Sequence, residues 1–194
     1  MIQAKNIRRL VLVAGFSALG IAISPYTWFY AFGTKANPTQ HMINAMLGVL
    51  AGPFWAALAA VIIGVVRNML GVGTIYAFPG GVPGGIVVGI TYWMLKRLKR
   101  SWKTRLVSAL TEPVGTLLIG APLALFLIAP WTGPQLGYSA ILLNLTADEG
   151  PVLAFLTFGF WWALSCIPGS IIGFLLLLNL NRIGIHRENL FEEK

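Results

Sequence analysis

Four apolar blocks, roughly residues 10–32, 42–95, 106–130 and 151–180, fill most of this chain and carry almost no charge. Charged residues make up 10% of the 194-residue sequence, against about a quarter in a soluble domain. So few charges cannot cover a water-facing surface, whereas lipid needs no such cover. A bilayer crossing takes about 20 apolar residues, so the first, third and last blocks are each one span. The chain is expected to be an all-α integral membrane protein, a single transmembrane domain over residues 1–194.

A net charge of +8 raises the question of nucleic-acid binding, and the placement of the charges answers it. Lys5, Arg8 and Arg9 precede the first block, and Lys96, Arg97, Lys99, Arg100, Lys103 and Arg105 share one connector. Arg182, Arg187 and Lys194 follow the last block. Basic residues gathered in alternate short loops are the positive-inside pattern of a membrane protein, not a DNA-binding stripe.

The same pattern divides the long second block. If residues 41–70 were one crossing, the basic connector would emerge on the outer side. A turn at Gly52-Pro53 returns it to the cytoplasm. The expected path is six transmembrane helices, near 9–30, 38–51, 53–70, 83–96, 105–129 and 151–180, with both termini cytoplasmic. Asn37 as N-cap, Pro38 in the first turn and Gln40 in a capping-box-like position mark the start of the second helix. Segments 30–40, 71–82 and 131–150 then face outward. The middle one, GVGTIYAFPGGV, is expected to be non-helical and to help wall an outer pocket.

Chemistry-bearing side chains are few. His41 and Asn44 lie three apart and share a helix face, either to bind a polar heterocycle or to bond a neighbouring helix. Arg67 and Asn68 sit at the outer end of the third helix, about 21 Å up from Pro53. A buried arginine there either meets a ligand or ties down the Gly-rich loop. Tyr76, Phe78 and Trp161 of the Trp161-Trp162 pair are stacking candidates. Glu112 is the one acid deep in an expected helix. Its distance from Arg105 suggests capping or an ion pair near the inner boundary, and proton coupling is the competing reading. Ala14, Ala18 and Ala22 form a small-residue stripe that lets another helix approach closely.

The pieces His41-Met42-Ile43-Asn44, Gly52-Pro53, Arg67-Asn68, Gly71-Val72-Gly73-Thr74 and Phe78-Pro79-Gly80-Gly81 resemble the thiazole-precursor S components called ThiW. These belong to the energy-coupling-factor (ECF) importers. The resemblance implies an ECF S-component-like bundle in a prokaryotic cell membrane. It implies a substrate-binding subunit that takes up a thiamine precursor, hydroxyethylthiazole or a close relative. A transmembrane coupling protein (the T component) and two cytoplasmic ATPases would supply the energy. Under the resemblance His41, Asn44, Arg67 and Asn68 lie near the ligand, and Ala14, Ala18 and Ala22 dock on the coupling protein.

The residues themselves leave rivals: an S component for another vitamin, or a self-sufficient proton-coupled carrier. A membrane enzyme is disfavoured, because such sites gather several acids or histidines and only two histidines exist. No phosphate-cradling loop follows the glycine runs. No cofactor and no metal site is expected, and the single Cys166 excludes a multi-cysteine one.

Overall fold

The computed structural model describes residues 2–191, with side chains from Asn6, so Lys194 and the Lys5 side chain lie outside it. Helix α1 (Ile2–Thr27) leads into a hairpin of β1 (Phe29–Ala31) and β2 (Thr34–Ala36). Then come α2 (Pro38–Leu50), α3 (Pro53–Met69) and α4 (Ala77–Arg97). One long helical stretch, α5, runs from Trp102 to Thr132, with a 3-10 turn at Val107–Thr111. Helix α6 (Gly137–Arg182) and the short α7 (Arg187–Phe191) complete the chain.

Local signals set several boundaries. Asn37 caps α2, its side chain accepting from the Gln40 N–H, and Pro38 occupies the first turn. The Gln40 side chain does not complete the capping box; it donates to the Ala77 carbonyl at 3.2 Å. Gly52 has φ +104°, a conformation that side chains other than glycine resist. It separates α2 from α3 as the charge argument requires.

Three expectations change. Segment 30–40 is an antiparallel hairpin, with Tyr30 opposite Lys35. Its turn residues Phe32 and Gly33 both have positive φ, the geometry of the tight turns that match strand twist. Helix α4 begins at Ala77, so half of the segment expected to be irregular is helical. Pro83 removes the N–H that would bond the Pro79 carbonyl, and neighbouring side chains donate to this stretch instead. Segment 131–150 contributes a helical arm, 137–149, that joins the rest of α6 across Gly150, where φ is +76°.

Among the described residues four helices are long and apolar enough to cross a membrane, namely α1, α4, α5 and α6, and α3 is a shorter apolar helix. The fold is 83% helical, so the all-α membrane class holds. Along α6, Val152, Leu156, Phe160, Leu164, Ile171 and Leu175 are exposed, while Ala154, Phe158, Trp162, Cys166 and Leu177 are buried. An apolar stripe of that size is untenable in water and ordinary against lipid.

Helix α2 is the central post, with eleven of its thirteen residues buried. One apolar cluster, around Tyr76, Leu125, Phe158 and Trp162, fills the hairpin end of the bundle. Another, around Met46, Leu50, Tyr92 and Leu177, fills the opposite end. The first and last described segments meet at that end, since Arg8 donates to the Leu190 carbonyl and Arg9 lies over the Phe191 ring. A layer of buried polar side chains separates the two clusters.

Candidate functional site

The polar layer surrounds a small cavity beneath the hairpin. Thr34 and Lys35 roof it, Gln40 and His41 come from α2, and Arg67 comes from α3. Thr74 and Tyr76 enter from the loop before α4, and Trp162 and Ser165 from α6. The centre of a water-sized sphere has only about 20 Å³ to move in, room for about one water. A vitamin-sized molecule is larger than this space.

Arg67 holds that roof. It is 2% exposed, and its Nη2 donates to the carbonyls of Lys35 in the hairpin (3.0 Å) and Val72 in the loop (3.1 Å). Its Nη1 donates to Gln40 Oε1, while its Nε has no partner among the described residues. Of the two readings of this arginine, tying down the Gly-rich loop describes the geometry, and one donor remains beside the cavity. Trp162 Nε1 adds a second staple to Thr34 Oγ1, 3.1 Å. Lys35 adds a third, donating to the Gly71 carbonyl with its Nζ near the rings of Trp28, Tyr30 and Tyr138.

Below the cavity stands Glu112, fully buried. Its Oε1 lies 2.7 Å from His41 Nδ1, 3.0 Å from Thr116 Oγ1 and 3.3 Å from Asn44 Nδ2. Asn44 also donates to the Gly81 carbonyl, 2.9 Å, and Thr116 to that of Gly80, 2.8 Å. A Cβ at Gly84 would stand 2.2 Å from Glu112 Oε1, so only glycine lets α4 pass this carboxylate. Glu112 Oε2, Asn44 Oδ1, Thr74 Oγ1 and Ser165 Oγ are buried with no protein partner among the described residues. Unsatisfied groups this dense are uncommon in a finished interior and suit a site that receives a polar guest.

The expectation for Glu112 needs correcting in position and partner. It is not tied to Arg105, which pairs instead with Glu188 at 2.7 Å. The reason is depth: α2 begins under the hairpin, so His41 reaches the level of Glu112. His41, Arg67 and Tyr76 line the cavity, and Asn44 stands behind it on Glu112. Asn68 does not line it; its side chain donates to the carbonyls of Gly64 (2.7 Å) and Thr74 (3.0 Å). Phe78 packs against Gly64. Trp161 is 37% exposed, and its neighbour Trp162 supplies the indole of the wall.

Gln40, Thr34, Thr74, Ser165 and Glu112 were not among the expected contacts. Gln40 stands in the polar cluster of α2 but is accounted for there as a cap, Glu112 is read from sequence as a cap or ion pair near the inner boundary with proton coupling as the rival, and Thr74 stands only within the motif Gly71–Thr74; Thr34 and Ser165 carry no sequence signal beyond being polar. The cavity wall carries two cations, Lys35 and Arg67, and no acid. Among the described residues no group of three His, Cys, Asp or Glu side chains could hold a metal.

The stripe of Ala14, Ala18 and Ala22 is exposed along α1. Beside it lies an apolar surface groove bounded by Val11, Gly15, Phe16 and Leu19.

Residues 10–183 match the model of the ThiW family, described as thiamine-precursor transporter protein. No curated protein and no solved structure matches the chain.

Proposed function

For a chain that belongs to the ThiW family of thiamine-precursor transporters, we propose the role of substrate-binding S component of an ECF-type importer, with hydroxyethylthiazole as the ligand. The roofed cavity carries this reading. It combines an indole and a phenol for stacking on a flat heterocycle with a few convergent polar groups to fix its orientation. Both terminal nitrogens of Arg67 are already committed. No free guanidinium fork remains for a phosphate, and a neutral acceptor such as a ring nitrogen suits the remaining Nε.

Six crossings with both termini cytoplasmic, in a prokaryotic plasma membrane, put the hairpin outside. The positive-inside clusters support this orientation. Energy comes from partners, a T component and two ATPases, and the exposed alanine stripe of α1 is the docking face. The protein is a transporter subunit without catalytic chemistry.

The test is binding of hydroxyethylthiazole to the purified chain, read by tryptophan fluorescence with Trp162 in the wall. Saturable binding, weakened at least about tenfold by His41→Ala, is the expected result, as for loss of one buried hydrogen bond. No saturable binding by folded protein sinks the substrate assignment; another vitamin precursor binding in its place moves the role to a different S component.

The buried Glu112–His41 pair favours one second reading, a self-sufficient proton-coupled carrier. It requires pH-driven uptake by the chain alone in liposomes, abolished by Glu112→Gln.

A further inference from the structure

Hydrogen bonding around the cavity is lopsided: carbonyls of its wall are already taken, while the buried atoms left over can donate. The carbonyls of Lys35, Ala77, Gly80 and Gly81, all residues of the wall, accept from Arg67, Gln40, Thr116 and Asn44 in turn. Both ends of the Gln40 amide are engaged, as are the Thr34 hydroxyl and the Trp162 indole. The Tyr76 hydroxyl is bonded to that of Ser139. Among the described residues of the wall, the buried side-chain atoms without a protein partner are Arg67 Nε, Thr74 Oγ1 and Ser165 Oγ. The first can only donate, and each hydroxyl brings a hydrogen.

Ser165 departs from the way this fold treats its other helical hydroxyls. A hydroxyl in an apolar helix has a ready partner in the carbonyl three or four residues back. Thr146 and Ser170, on the same α6, take it, donating to the carbonyls of Leu142 (2.9 Å) and Ile167 (3.0 Å). Ser24, Thr111 and Thr132 do the same on other helices. Ser165, 1% exposed, does not. It lies three residues after Trp162 and so shares its helix face, which sets an unspent hydroxyl beside the indole of the wall. Thr74, also buried, brings a second one from the loop before α4. A buried hydroxyl without a partner destabilises the empty protein, and a guest that accepts from it recovers that loss.

We infer that Ser165 is a specificity-determining residue: with Thr74 and Arg67 Nε it forms a donor set that selects ligands by an acceptor in the ring. The inference rests on reading the cavity as the ligand site, and it adds the chemistry by which ligands are sorted. A heterocycle with an acceptor nitrogen satisfies the set. The same ring with carbon in that place leaves buried donors unpaired.

Two arms test it separately. The first needs no ligand: thermal unfolding of the purified chain in detergent. Ser165→Ala and the isosteric Thr74→Val give up no bond to the protein, so both are expected to unfold at or above the wild-type Tm. A Tm for Ser165→Ala lowered by about 2–4 °C or more, the shift for one lost hydrogen bond in a chain of this size, makes the hydroxyl structural and overturns the inference. The second arm compares hydroxyethylthiazole with its thiophene analogue, in which carbon replaces the ring nitrogen. The wild type is expected to bind the thiophene at least about tenfold more weakly. Ser165→Ala should lose about tenfold for the thiazole and less than about twofold for the thiophene, because the pair is coupled only where both members are present. Equal losses for the two molecules, or no loss for the thiazole, overturn the inference. If folded wild-type protein binds neither, the hydroxyethylthiazole reading falls. The donor set then stands, for another acceptor-bearing ligand, if Ser165→Ala keeps its Tm, and falls if it does not.

Discussion

Arg67 in α3 donates through Nη2 to the Lys35 carbonyl in the hairpin, 3.0 Å away, so a buried guanidinium near the end of one helix holds down the roof of the cavity. Its other bonds, to Gln40 and to the Val72 carbonyl, make it the common anchor of α2, α3, the hairpin and the Gly-rich loop. Lysine cannot reproduce a planar three-way anchor.

Arg67→Lys is therefore expected to lower stability by about 2–3 kcal/mol, since buried carbonyls lose their donors. The apparent Tm in detergent should fall by roughly 5–10 °C for a chain of this size. An unchanged Tm would mean that the roof is held elsewhere.

Lys35 sits on three aromatic rings and donates to the Gly71 carbonyl. Lys35→Gln should loosen the roof without removing a cavity group deeper in the site. Contacts of this kind contribute about 0.5–1 kcal/mol when exposed, so ligand release in stopped-flow fluorescence should speed up roughly 2–5-fold.

Gly84 and Gly159 form an internal comparison. A methyl at Gly84 would meet Glu112 Oε1 at 2.2 Å, whereas at Gly159 it would meet nothing within 4 Å. Gly84→Ala is expected to destabilise by about 1–3 kcal/mol through overpacking and to weaken ligand binding. Gly159→Ala should be neutral or stabilising by up to about 1 kcal/mol, the helix preference of alanine. Similar thermal shifts for the two would contradict the close approach of α4 to Glu112.

At the terminal end Glu188 accepts from Arg105 (2.7 Å) and from the Tyr92 hydroxyl (2.9 Å). Burial resists its ionisation, but its own backbone N–H, Tyr92, Arg105 and Lys96 outweigh that and hold the carboxyl below its usual 4.5. A lowered folded-state value stabilises α7 above pH 4.5, and that contribution is lost as pH falls through the lowered value. A nitroxide on Leu190→Cys should gain mobility in acid, and Glu188→Gln should show the higher mobility at neutral pH.

Ala18 lies in the exposed stripe of α1. Ala18→Trp should abolish ATP-driven uptake in cells supplying the coupling protein and ATPases, while hydroxyethylthiazole binding by the purified chain stays unchanged. Normal uptake would remove α1 as the docking face.

The legible parts of this protein are those that local chemistry or charge decides. Asn37-Pro38 announced the start of α2, and Gly52-Pro53 its separation from α3, because a cap and a positive-φ glycine act within a few residues. The scarcity of charge identified the solvent as lipid. The Phe32-Gly33 hairpin and the arm 137–149 escaped notice because neither carries a strong turn or cap signal.

The site was legible only in part, for a physical reason specific to membranes. In water, hydropathy tells which face of a helix turns inward; in a bilayer both the interior and the surroundings are apolar, so Trp161 and Trp162 read alike in sequence. Packing alone turned Trp162 onto the cavity and left Trp161 exposed. The sequence by itself determined the membrane class, the α2 boundaries and the polar candidates His41, Asn44 and Arg67. Only the tertiary structure decided that Glu112, 71 positions from His41, would meet it. Helix depth and rotation bring them together, and one sequence records neither.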